Sequence, residues 1–430
     1  MASKGVSTAR RAGVLLACFA GTAALLLGLL VLSALIPKET VAPQMRASAE
    51  YLEKDEYYAM HLEGVESTRI DRYADMILLN IAWHFDGTDP LRSVLEAKYL
   101  MRPDKSERED MADAILQDLP ANQQYLRYWH GSAGVLRAEM TFLSLPQIYL
   151  LHGVILAALA GWLLFRLIRR KAWGFAAGIL AGLIGCACWL VPMSLEYSWV
   201  FLILLTQLHL ILNRKFPKEW EKRSIFFLIS GMVTNYLDFL TCETLTLLIP
   251  LMLMIWLEKE KGLPGWKTLL RMGLAWAIGY GGMYLLKWGL AAAVMGENTL
   301  PYVTGHVEQR LTGAIEQMSF LQEHLWAILR NVKCIFPLDY GLIGALAGIL
   351  LLLAAGYIGY VHRRKGYDRR RIRVWAALGA IPYLRFLALA NHSYLHFFFT
   401  YRAQFATLVA AALILGELTG WGEKKGSSAP

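Results

Sequence analysis

The feature that most constrains this chain is a series of apolar segments, each roughly 20 residues long, separated by short polar turns. A helix of about 20 apolar residues spans the hydrocarbon core of a bilayer. Segments that meet this rule lie at 13–36, 146–168, 172–192, 197–213, 224–242, 243–258, 267–295, 334–361, 372–390 and 402–420. Hydrophobic residues make up 56% of the chain and charged residues only 18%, which is unlike an ordinary soluble chain. The sequence therefore predicts an all-α, polytopic integral membrane protein with about ten transmembrane helices.

The N-terminal segment carries the charge pattern of a secretory signal, with Lys4, Arg10 and Arg11 ahead of an apolar run at 12–36. A cleaved signal has an apolar core of roughly 7 to 15 residues, which is shorter than this run. The run is long enough to cross a bilayer. We therefore expect an uncleaved first transmembrane helix.

Basic residues cluster in the turns between apolar segments and indicate how the chain is oriented. Loops rich in Lys and Arg stay on the cytoplasmic side of a membrane. With the N-terminus in the cytoplasm, ten spans put every strongly basic turn on that side and return the C-terminus to it. These turns contain Arg166, Arg169, Arg170 and Lys171; Lys215, Lys218, Lys222 and Arg223; Lys259 and Lys261; and Arg363, Arg364, Lys365, Arg369, Arg370 and Arg371. The net charge of +9 therefore reflects orientation in the plasma (bacterial inner) membrane, and no nucleic-acid partner is expected.

Two segments on the outer side are too long to be turns, 37–145 and 296–333. More than half of the acidic residues lie in the first, where they outnumber Lys and Arg. The predicted parts are a cytoplasmic tail with the first helix, a helical extracytoplasmic lobe, a multi-span domain that contains the second outer segment, and a cytoplasmic tail. Their ranges are 1–36, 37–145, 146–421 and 422–430.

Helix signals recur within the lobe. Apolar residues at helical spacing predict an amphipathic helix at 68–85 that lies on the membrane surface. Asp89 followed by Pro90 predicts a cap and a first helical turn. Ser106 with Glu109 matches a capping box. The lobe is therefore expected to consist of several short helices.

Asp71 and Asp75 lie one turn apart on the predicted surface helix, and they are the candidate catalytic residues. Two neighbouring carboxylates that are partly desolvated raise one another's pKa, which makes one of them a usable general base. The alternative is a solvated helix face on which the carboxylates pair with Arg69 and Arg72. Spacing alone leaves both interpretations open.

Asp238 and Glu243 lie where the fifth span meets the sixth, at the predicted outer boundary. Ionisable residues at membrane depth face a polar cavity or a partner. Both are candidate substrate-binding residues, and Asp238 is the stronger candidate because Glu243 would reach water. The alternative is a carboxylate that caps the following helix.

A polar and aromatic tract at 391–402 joins the last two spans on the same side. It supplies His392, His396, Tyr401 and Arg402 as candidate substrate-binding residues. A guanidinium near the bilayer surface suits a lipid phosphate or pyrophosphate. The two histidines lack the glutamate and the third ligand of a hydrolytic zinc helix, so neither a metal site nor a cofactor is predicted. The alternative is an interfacial aromatic belt.

Four further basic residues are candidate substrate-binding residues. Lys287 lies inside the seventh predicted span and Arg385 inside the ninth. A lone cation there pairs with a carboxylate or an anionic substrate, or extends toward the nearer bilayer surface. Arg127 and His130 lie near the end of the lobe, where they would return it to the membrane.

With these residues in view, the architecture resembles the polytopic glycosyltransferases of the C superfamily. In those enzymes a helical outer loop after the first span carries a catalytic Asp or Glu, and the donor is a sugar on a polyprenyl phosphate. This resemblance covers mainly 1–145. The tracts 70–75, 235–241 and 391–402 are also similar to those of multi-span bacterial proteins that accompany cell-surface polysaccharide synthesis, a likeness that covers most of the chain.

The resemblance implies a membrane glycosyltransferase that moves a sugar from a polyprenyl-phosphate donor to a cell-surface glycan or lipid-linked acceptor on the outer face. Asp71 or Asp75 would take the proton of the acceptor hydroxyl, and a cation such as Arg402 would stabilise the phosphate leaving group. The alternatives are a flippase or other carrier for a lipid-linked glycan, a polymerase or ligase for surface polysaccharide, and a nonenzymatic scaffold. Membrane lipid is the remaining expected partner.

Overall fold

The computed structural model describes residues 2–217, 219–258, 266–296, 299, 301, 304–305, 318–335 and 341–421. Several predicted features lie wholly or partly outside these residues. They are Lys218, Lys259 and Lys261 of the basic turns, the middle of the outer segment 296–333, and the tail 422–430.

The fold is all-α, as predicted. The described residues contain no β-strand beyond isolated bridges between Met60 and Arg69 and between Tyr99 and Gln123. The helices are α1 (Ala2–Ala34), α2 (Lys38–Glu53), α3 (Arg72–Trp83), α4 (Pro90–Glu96), α5 (Glu107–Leu116), α6 (Gly131–Glu139), α7 (Leu145–Arg169), α8 (Trp173–Gly185), α9 (Leu195–Ile211), α10 (Trp220–Leu237), α11 (Leu245–Leu257), α12 (Trp266–Met295), α13 (Phe320–Lys333), α14 (Gly341–Val361), α15 (Arg369–Ala388), α16 (Ala390–Leu395), α17 (Phe397–Thr400) and α18 (Phe405–Thr419), with 3₁₀ turns at Glu66–Thr68, Cys188–Met193 and Tyr401–Gln404.

Each predicted span contains an α-helix, but these helices differ in length. Among the described residues, three stretches are long and apolar enough to cross a membrane, namely Arg10–Ala34, Leu145–Arg169 and Phe397–Thr419. By contrast, α8 and α11 have 13 residues each. A helix of that length rises about 20 Å, which is less than the roughly 30 Å of the hydrocarbon core. The crossing of the membrane by all ten segments remains a prediction.

Breaks in the helical backbone interrupt two of the predicted spans, and a third irregular stretch coincides with the predicted turn between the last two spans. After α8, Ala187 takes a left-handed conformation with φ of 46°, and a 3₁₀ turn that contains Pro192 follows. After α10, Leu240 takes the same conformation with φ of 65°. The third break, 389–404, consists of α16, α17 and a 3₁₀ turn. Irregular backbone at membrane depth is tolerated where it is buried in protein.

The lobe is helical, and its predicted local signals are confirmed. Asp89 caps α4 by accepting a hydrogen bond from the Arg92 amide, and Pro90 occupies the first helical position. Ser106 and Glu109 form the predicted capping box at the start of α5. These signals are local, so they act wherever the helix lies in the fold.

The predicted surface position of the amphipathic helix is wrong. The helix begins at Arg72 and ends at Trp83, and most of its residues are buried, polar ones included. Its polar side is bonded within the protein. Asn80, for example, exchanges hydrogen bonds with the backbone of Leu100 (3.0 and 3.1 Å). An amphipathic pattern indicates a polar face, but here other protein groups rather than solvent satisfy that face.

Buried side chains join the lobe to the long helices. The Arg137 guanidinium donates to the carbonyls of Ala82 and Ile36, at the C-terminal ends of α3 and α1. A cation is stabilised there by the exposed carbonyls and the helix dipoles. The Trp129 indole donates to the Met283 carbonyl of α12 (2.8 Å). Hydrogen bonds therefore connect the lobe to the helices that precede and follow it.

Contacts between distant segments gather at the two ends of the long helices. At one end, ion pairs join the N-terminal helix, the turns between predicted spans and the last helix. These pairs are Arg11–Glu221, Arg223–Glu258 and Arg364–Glu417. At the other end, the helix breaks meet the lobe. The contacts agree with an arrangement in which the basic turns share one side.

Candidate functional site

The lobe meets the long helices at the N-terminus of α9. The Ser194 hydroxyl donates to the backbone carbonyl of Asp71 (3.1 Å), and the Leu195 amide donates to the Asp75 carboxylate (2.9 Å). Asp71 is itself the N-cap of α3, where its carboxylate accepts from the Ala74 amide (2.9 Å). The N-termini of a lobe helix and of a predicted span thus share one junction.

Asp75 is fully buried, and both of its carboxylate oxygens are occupied by donors. Besides the Leu195 amide, it accepts from the Tyr149 hydroxyl (2.5 Å) and lies 3.8 Å from the Arg72 guanidinium. Burial raises the pKa of Asp75 to about 7, against the opposing effects of Arg72 and of the Tyr149 hydrogen bond. Asp75 therefore connects α3 to α7 and α9, and these contacts stabilise the fold.

Asp71 forms a hydrogen bond with a second carboxyl group, that of Glu196 on α9. Asp71 is 3% exposed and Glu196 is 6% exposed, and Glu196 Oε2 has no hydrogen-bond partner among the described residues. Two carboxyl groups bond to each other only when one of them carries a proton. Burial raises the pKa of Asp71 to about 6, opposed by its hydrogen bonds with Ala74 and Glu196. We call Asp71 and Glu196 the acidic pair.

Aromatic rings and a guanidinium surround the acidic pair. Tyr58 and Tyr197 each lie within electrostatic range of both carboxyl groups. Arg69 acts on Asp71 in the same way, and its guanidinium lies 5.6 Å from the centroid of the Tyr58 ring. The Tyr197 hydroxyl donates to the Arg69 carbonyl (3.3 Å). Tyr58 is 37% exposed, so the edge of the site is open to solvent on its side.

Arg402 is a buried guanidinium beside the same tyrosine. It lies 4.3 Å from the centroid of the Tyr197 ring, and its Nη1 donates to the Phe398 carbonyl (3.1 Å). Only 1% of Arg402 is exposed, and its Nε and Nη2 have no hydrogen-bond partner in the described part of the chain. No described carboxylate forms an ion pair with it. A buried cation whose N–H groups lack hydrogen-bond partners is stabilised when it binds an anion.

Glu243 and Arg385 form an ion pair at the break between α10 and α11, and Asp238 is linked to this pair through Thr241. The ion pair is bidentate, and both of its N···O distances are 3.1 Å. Glu243 is thus the carboxylate partner that was one of the predicted alternatives for Arg385. Asp238 follows the end of α10 and accepts from the Thr241 amide and hydroxyl. Asp238 acts electrostatically on Glu196. These three residues support the site from the break between α10 and α11.

The candidate residues His392, His396 and Tyr401 lie in the third break, where they make contacts that stabilise it. The ring centroids of His392 and His396 are 4.7 Å apart, and His396 stacks on Phe399 at 5.2 Å. The Tyr401 hydroxyl lies within hydrogen-bond distance of the carbonyl of Ser67 in the lobe (3.1 Å) and of Cys186 after α8 (3.0 Å). Tyr401 therefore connects two breaks to the lobe. Among the described residues, no group of three or more His, Cys, Asp or Glu side chains is arranged to hold a metal ion.

Lys287, Arg127 and His130 lie in a separate region, between the lobe and α12. The Lys287 ammonium donates to the carbonyl of Leu95 at the end of α4 (2.6 Å). No carboxylate among the described residues forms an ion pair with it. His130 Nε2 lies 3.1 Å from the Tyr125 carbonyl, and burial together with the nearby Lys287 lowers the pKa of His130. The Arg127 guanidinium stacks on Tyr125 at 5.1 Å. No described hydrogen bond or ion pair joins these three to the acidic pair.

Glu196, Tyr58 and Tyr197 are site residues that the sequence interpretation missed. Glu196 lies in the short turn between the third and fourth predicted spans, on the same predicted side as Asp238. Asp238 was selected as an ionisable residue at membrane depth near the outer boundary, and the same signal applies to Glu196, which directly precedes the fourth predicted span. The two tyrosines carry no comparable signal, because the chain is rich in aromatic residues throughout.

The arrangement offers two chemical capacities side by side. The acidic pair can hold or accept one proton, because one carboxyl group is ionised while the other is protonated. Arg402 can stabilise a phosphate or another anion with its unbonded N–H groups. No family model matches the chain, and no curated protein and no solved structure matches it.

Proposed function

We propose that this chain is a polytopic membrane glycosyltransferase that moves a sugar from a polyprenyl-phosphate donor to a cell-surface glycan or lipid-linked acceptor. The observation that carries the proposal is the placement of the acidic pair and of Arg402 beside one tyrosine, Tyr197. A transferase of this kind needs a proton acceptor and a phosphate-binding cation within one site. In this proposal Asp71 is the proton acceptor and Arg402 the cation, and both are buried residues.

The residues of the site have different roles in a single displacement at the anomeric carbon of the donor sugar. Asp71 accepts the proton of the acceptor hydroxyl as that oxygen attacks the anomeric carbon of the sugar. The bond from the anomeric carbon to the phosphate oxygen breaks, and the phosphate leaves with the bonding electrons, stabilised by Arg402. Glu196 holds Asp71 in place through the shared proton. One displacement inverts the configuration at the anomeric carbon.

The proposal places the site on the outer side of the plasma membrane, with ten spans and both termini in the cytoplasm. It is supported by the ion pairs that gather basic turns at one end of the helices, away from the lobe. The lobe is net acidic, whereas the turns at the opposite end are basic. This distribution agrees with the retention of Lys and Arg on the cytoplasmic side.

A carrier for a lipid-linked glycan is the second candidate, and the helix breaks favour it. Carriers bind their cargo at interrupted helices, and two of the predicted spans are interrupted beside this site, after α8 and after α10. A carrier would move the donor across the bilayer without breaking the bond from sugar to phosphate. The two functions therefore differ in whether free polyprenyl phosphate is released.

The test is donor turnover by the purified full-length chain in detergent, with a panel of polyprenyl-phosphate hexoses and extracted surface glycan as acceptor. We expect release of polyprenyl phosphate, reduced by about 10²–10⁴-fold in Asp71→Asn. Arg402→Gln should also lose turnover, because the leaving phosphate loses its cation. Asp104→Asn is the matched control, since Asp104 is an exposed acid of the same lobe.

Surface glycan of cells that carry the same variants gives the second measurement. Unchanged glycan in both Asp71→Asn and Glu196→Gln cells would remove the acidic pair from the mechanism. Loss of surface glycan in these cells, together with a wild-type protein that translocates the donor in vesicles but never releases polyprenyl phosphate, would instead establish the carrier.

A further inference from the structure

A row of partly exposed tyrosines crosses the lobe from the acidic pair. Tyr58 and Tyr73 stack with ring centroids 6.1 Å apart and planes at 25°, and Tyr57 meets the edge of Tyr73 at 6.2 Å. Tyr99 and Tyr125 form the next pair, with centroids 5.7 Å apart. None of the five rings is fully buried. We call these five residues the tyrosine track.

The two groups of rings lie near one another, and Tyr58 lies beside the proposed catalytic site. Tyr73 bonds through its hydroxyl to Glu107, and it lies within electrostatic range of both Tyr99 and Tyr125. Tyr58 lies within range of both members of the acidic pair. A molecule that followed the rings from Tyr125 would therefore arrive at Asp71.

Arginines lie over the rings of the track. The guanidinium carbons of Arg69, Arg108 and Arg127 lie 5.6, 4.8 and 5.1 Å from the centroids of Tyr58, Tyr57 and Tyr125 respectively. The Nε atoms of Arg69 and Arg108 are buried and have no hydrogen-bond partner among the described residues. A guanidinium beside an aromatic ring interacts with the ring face through its charge and keeps N–H groups available to donate to an anion. The track thus combines aromatic faces with unsatisfied cationic donors.

The chemistry of the track selects a class of ligand. The apolar C–H faces of sugar rings stack on aromatic rings, and the centroid spacings of 5.7–6.2 Å are close to the repeat of pyranose units in an extended chain. Arginine donors match the carboxylate groups of acidic sugars. A membrane surface fits less well, because the lobe as a whole is net acidic and anionic lipids would repel it.

We propose that the tyrosine track binds an anionic oligosaccharide, which is the acceptor chain of the transfer, and directs its end to the acidic pair. The role as acceptor rests on the proposed function, whereas binding itself does not. Successive sugar units occupy successive rings, and the arginines hold their carboxylates. The acceptor is therefore a chain of several units rather than a single sugar.

The experiment measures oligosaccharide affinity of the full-length chain in detergent, without a donor. The probes are fluorescent hexamers of galacturonate, mannuronate and hyaluronan, with galacturonate dimer and neutral maltohexaose for comparison. We expect at least one anionic hexamer to bind at least tenfold more tightly than maltohexaose and than the dimer. Arg108→Ala and Tyr73→Ala should each weaken that binding at least tenfold, while Tyr73→Phe should retain it.

The chain contains a matched control at its opposite end. Arg363 lies over the exposed Tyr360 ring with its guanidinium carbon 4.1 Å from the ring centroid. Tyr360→Ala should bind the hexamer as the wild type does. Helix content and elution volume check that each variant is folded, and Tyr73→Phe preserves the ring if Tyr73→Ala does not fold.

Three results would overturn the proposal. They are failure of every anionic hexamer to exceed maltohexaose, equal loss of binding in Tyr360→Ala and Arg108→Ala, and displacement of the hexamer by phosphatidylglycerol vesicles that bind the same residues more tightly. Binding that persists in a protein without transferase activity would refute the proposed function alone. The two claims therefore fail separately.

Discussion

At the scale of single residues, the two aspartates of the predicted pair have different tasks although they lie four positions apart. Asp71 caps α3 and bonds to a second carboxyl group, whereas Asp75 accepts hydrogen bonds from α7 and from the N-terminus of α9. The sequence interpretation treated them as equivalent candidates for the base. Their partners separate them, because only Asp71 retains a neighbour with which it can exchange a proton.

Replacement of Asp75 should destabilise the protein strongly. Asp75→Ala leaves the Tyr149 hydroxyl and the Leu195 amide without their buried acceptor. It also removes one of the two carboxylates beside the Arg72 guanidinium. We expect a loss of about 3–5 kcal/mol in the free energy of unfolding. Tyr149→Phe removes one donor to a charged acceptor and should cost only about 1.5–3 kcal/mol. Denaturant unfolding in detergent measures both.

Asp104→Ala is the control for this series, because Asp104 is exposed on the same lobe. It should change the free energy of unfolding by less than about 0.5 kcal/mol. An Asp75→Ala protein as stable as the Asp104→Ala protein would show that Asp75 does not join the helices as described.

Turnover should depend on the protonation of Asp71. Burial raises the pKa of Asp71 to about 6, so the base is protonated below that pH and ionised above it. The rate should therefore rise with pH and level off above about 6. Glu196→Gln keeps a hydrogen-bond donor beside Asp71 and should leave the midpoint close to that of the wild type. Glu196→Ala removes the donor, which raises the pKa of Asp71, and should move the midpoint to higher pH.

A pH–rate profile of the three proteins makes the comparison. A midpoint that is identical in all three would mean that the ionisation that limits the rate belongs to another group. Asp104→Asn serves again as the variant that should leave the profile unchanged.

At the scale of helices, close approach of backbones explains why α10 and α12 pack as they do. A Cβ atom on Gly231 would lie 2.1 Å from the Trp276 carbonyl oxygen, and one on Gly279 would lie 2.1 Å from that of Leu228. Small residues at such contacts let helices approach within backbone distance. Neither obstacle is a flexible side chain, so the helices themselves must separate to admit a methyl group.

Gly279→Ala should therefore lower the stability by about 1–3 kcal/mol or more. Gly273→Ala is the matched control on the same helix, because no atom lies within 4 Å of a Cβ placed there. The control should be neutral or more stable by up to about 1 kcal/mol, since alanine is the better helix former. Thermal unfolding of both variants in detergent measures the difference. Equal midpoints would contradict the backbone contact between α10 and α12.

The elements that were predictable from the sequence are those with local causes. The caps at Asp89 and Ser106 depend on residues within one turn, and both are present. The ends of α8 and α10 were not predicted. Mostly apolar residues follow Gly185 and Leu237, so the hydropathy of the sequence stays high where the helices end. The contact of Asp71 with Glu196 depends on how distant segments pack. Periodicity identified the helix that carries Asp71 but could not show that it is buried.

At the scale of the whole molecule, the two ends of the helices differ in chemistry. One end carries the acidic lobe, the helix breaks and the candidate site, and the other carries the ion-paired basic turns. Each of the described helix breaks approaches the lobe, so irregular backbone is concentrated where polar partners are available. A site formed in this way draws on at least four segments of the chain, and its geometry depends on the packing of the complete molecule.

The lobe and the basic turns should face opposite sides of the membrane. The test uses single cysteines in a background that lacks the native ones, with Asp104→Cys in the lobe and Lys222→Cys in a basic turn, because both positions are exposed. A maleimide that cannot cross the membrane should label Asp104→Cys in intact cells, and should label Lys222→Cys only after permeabilisation, because positive turns remain cytoplasmic. Labelling of Lys222→Cys in intact cells would reverse the orientation and place the acidic pair in the cytoplasm. Labelling of both would put the two ends on one side, which is incompatible with helices that cross the bilayer between them.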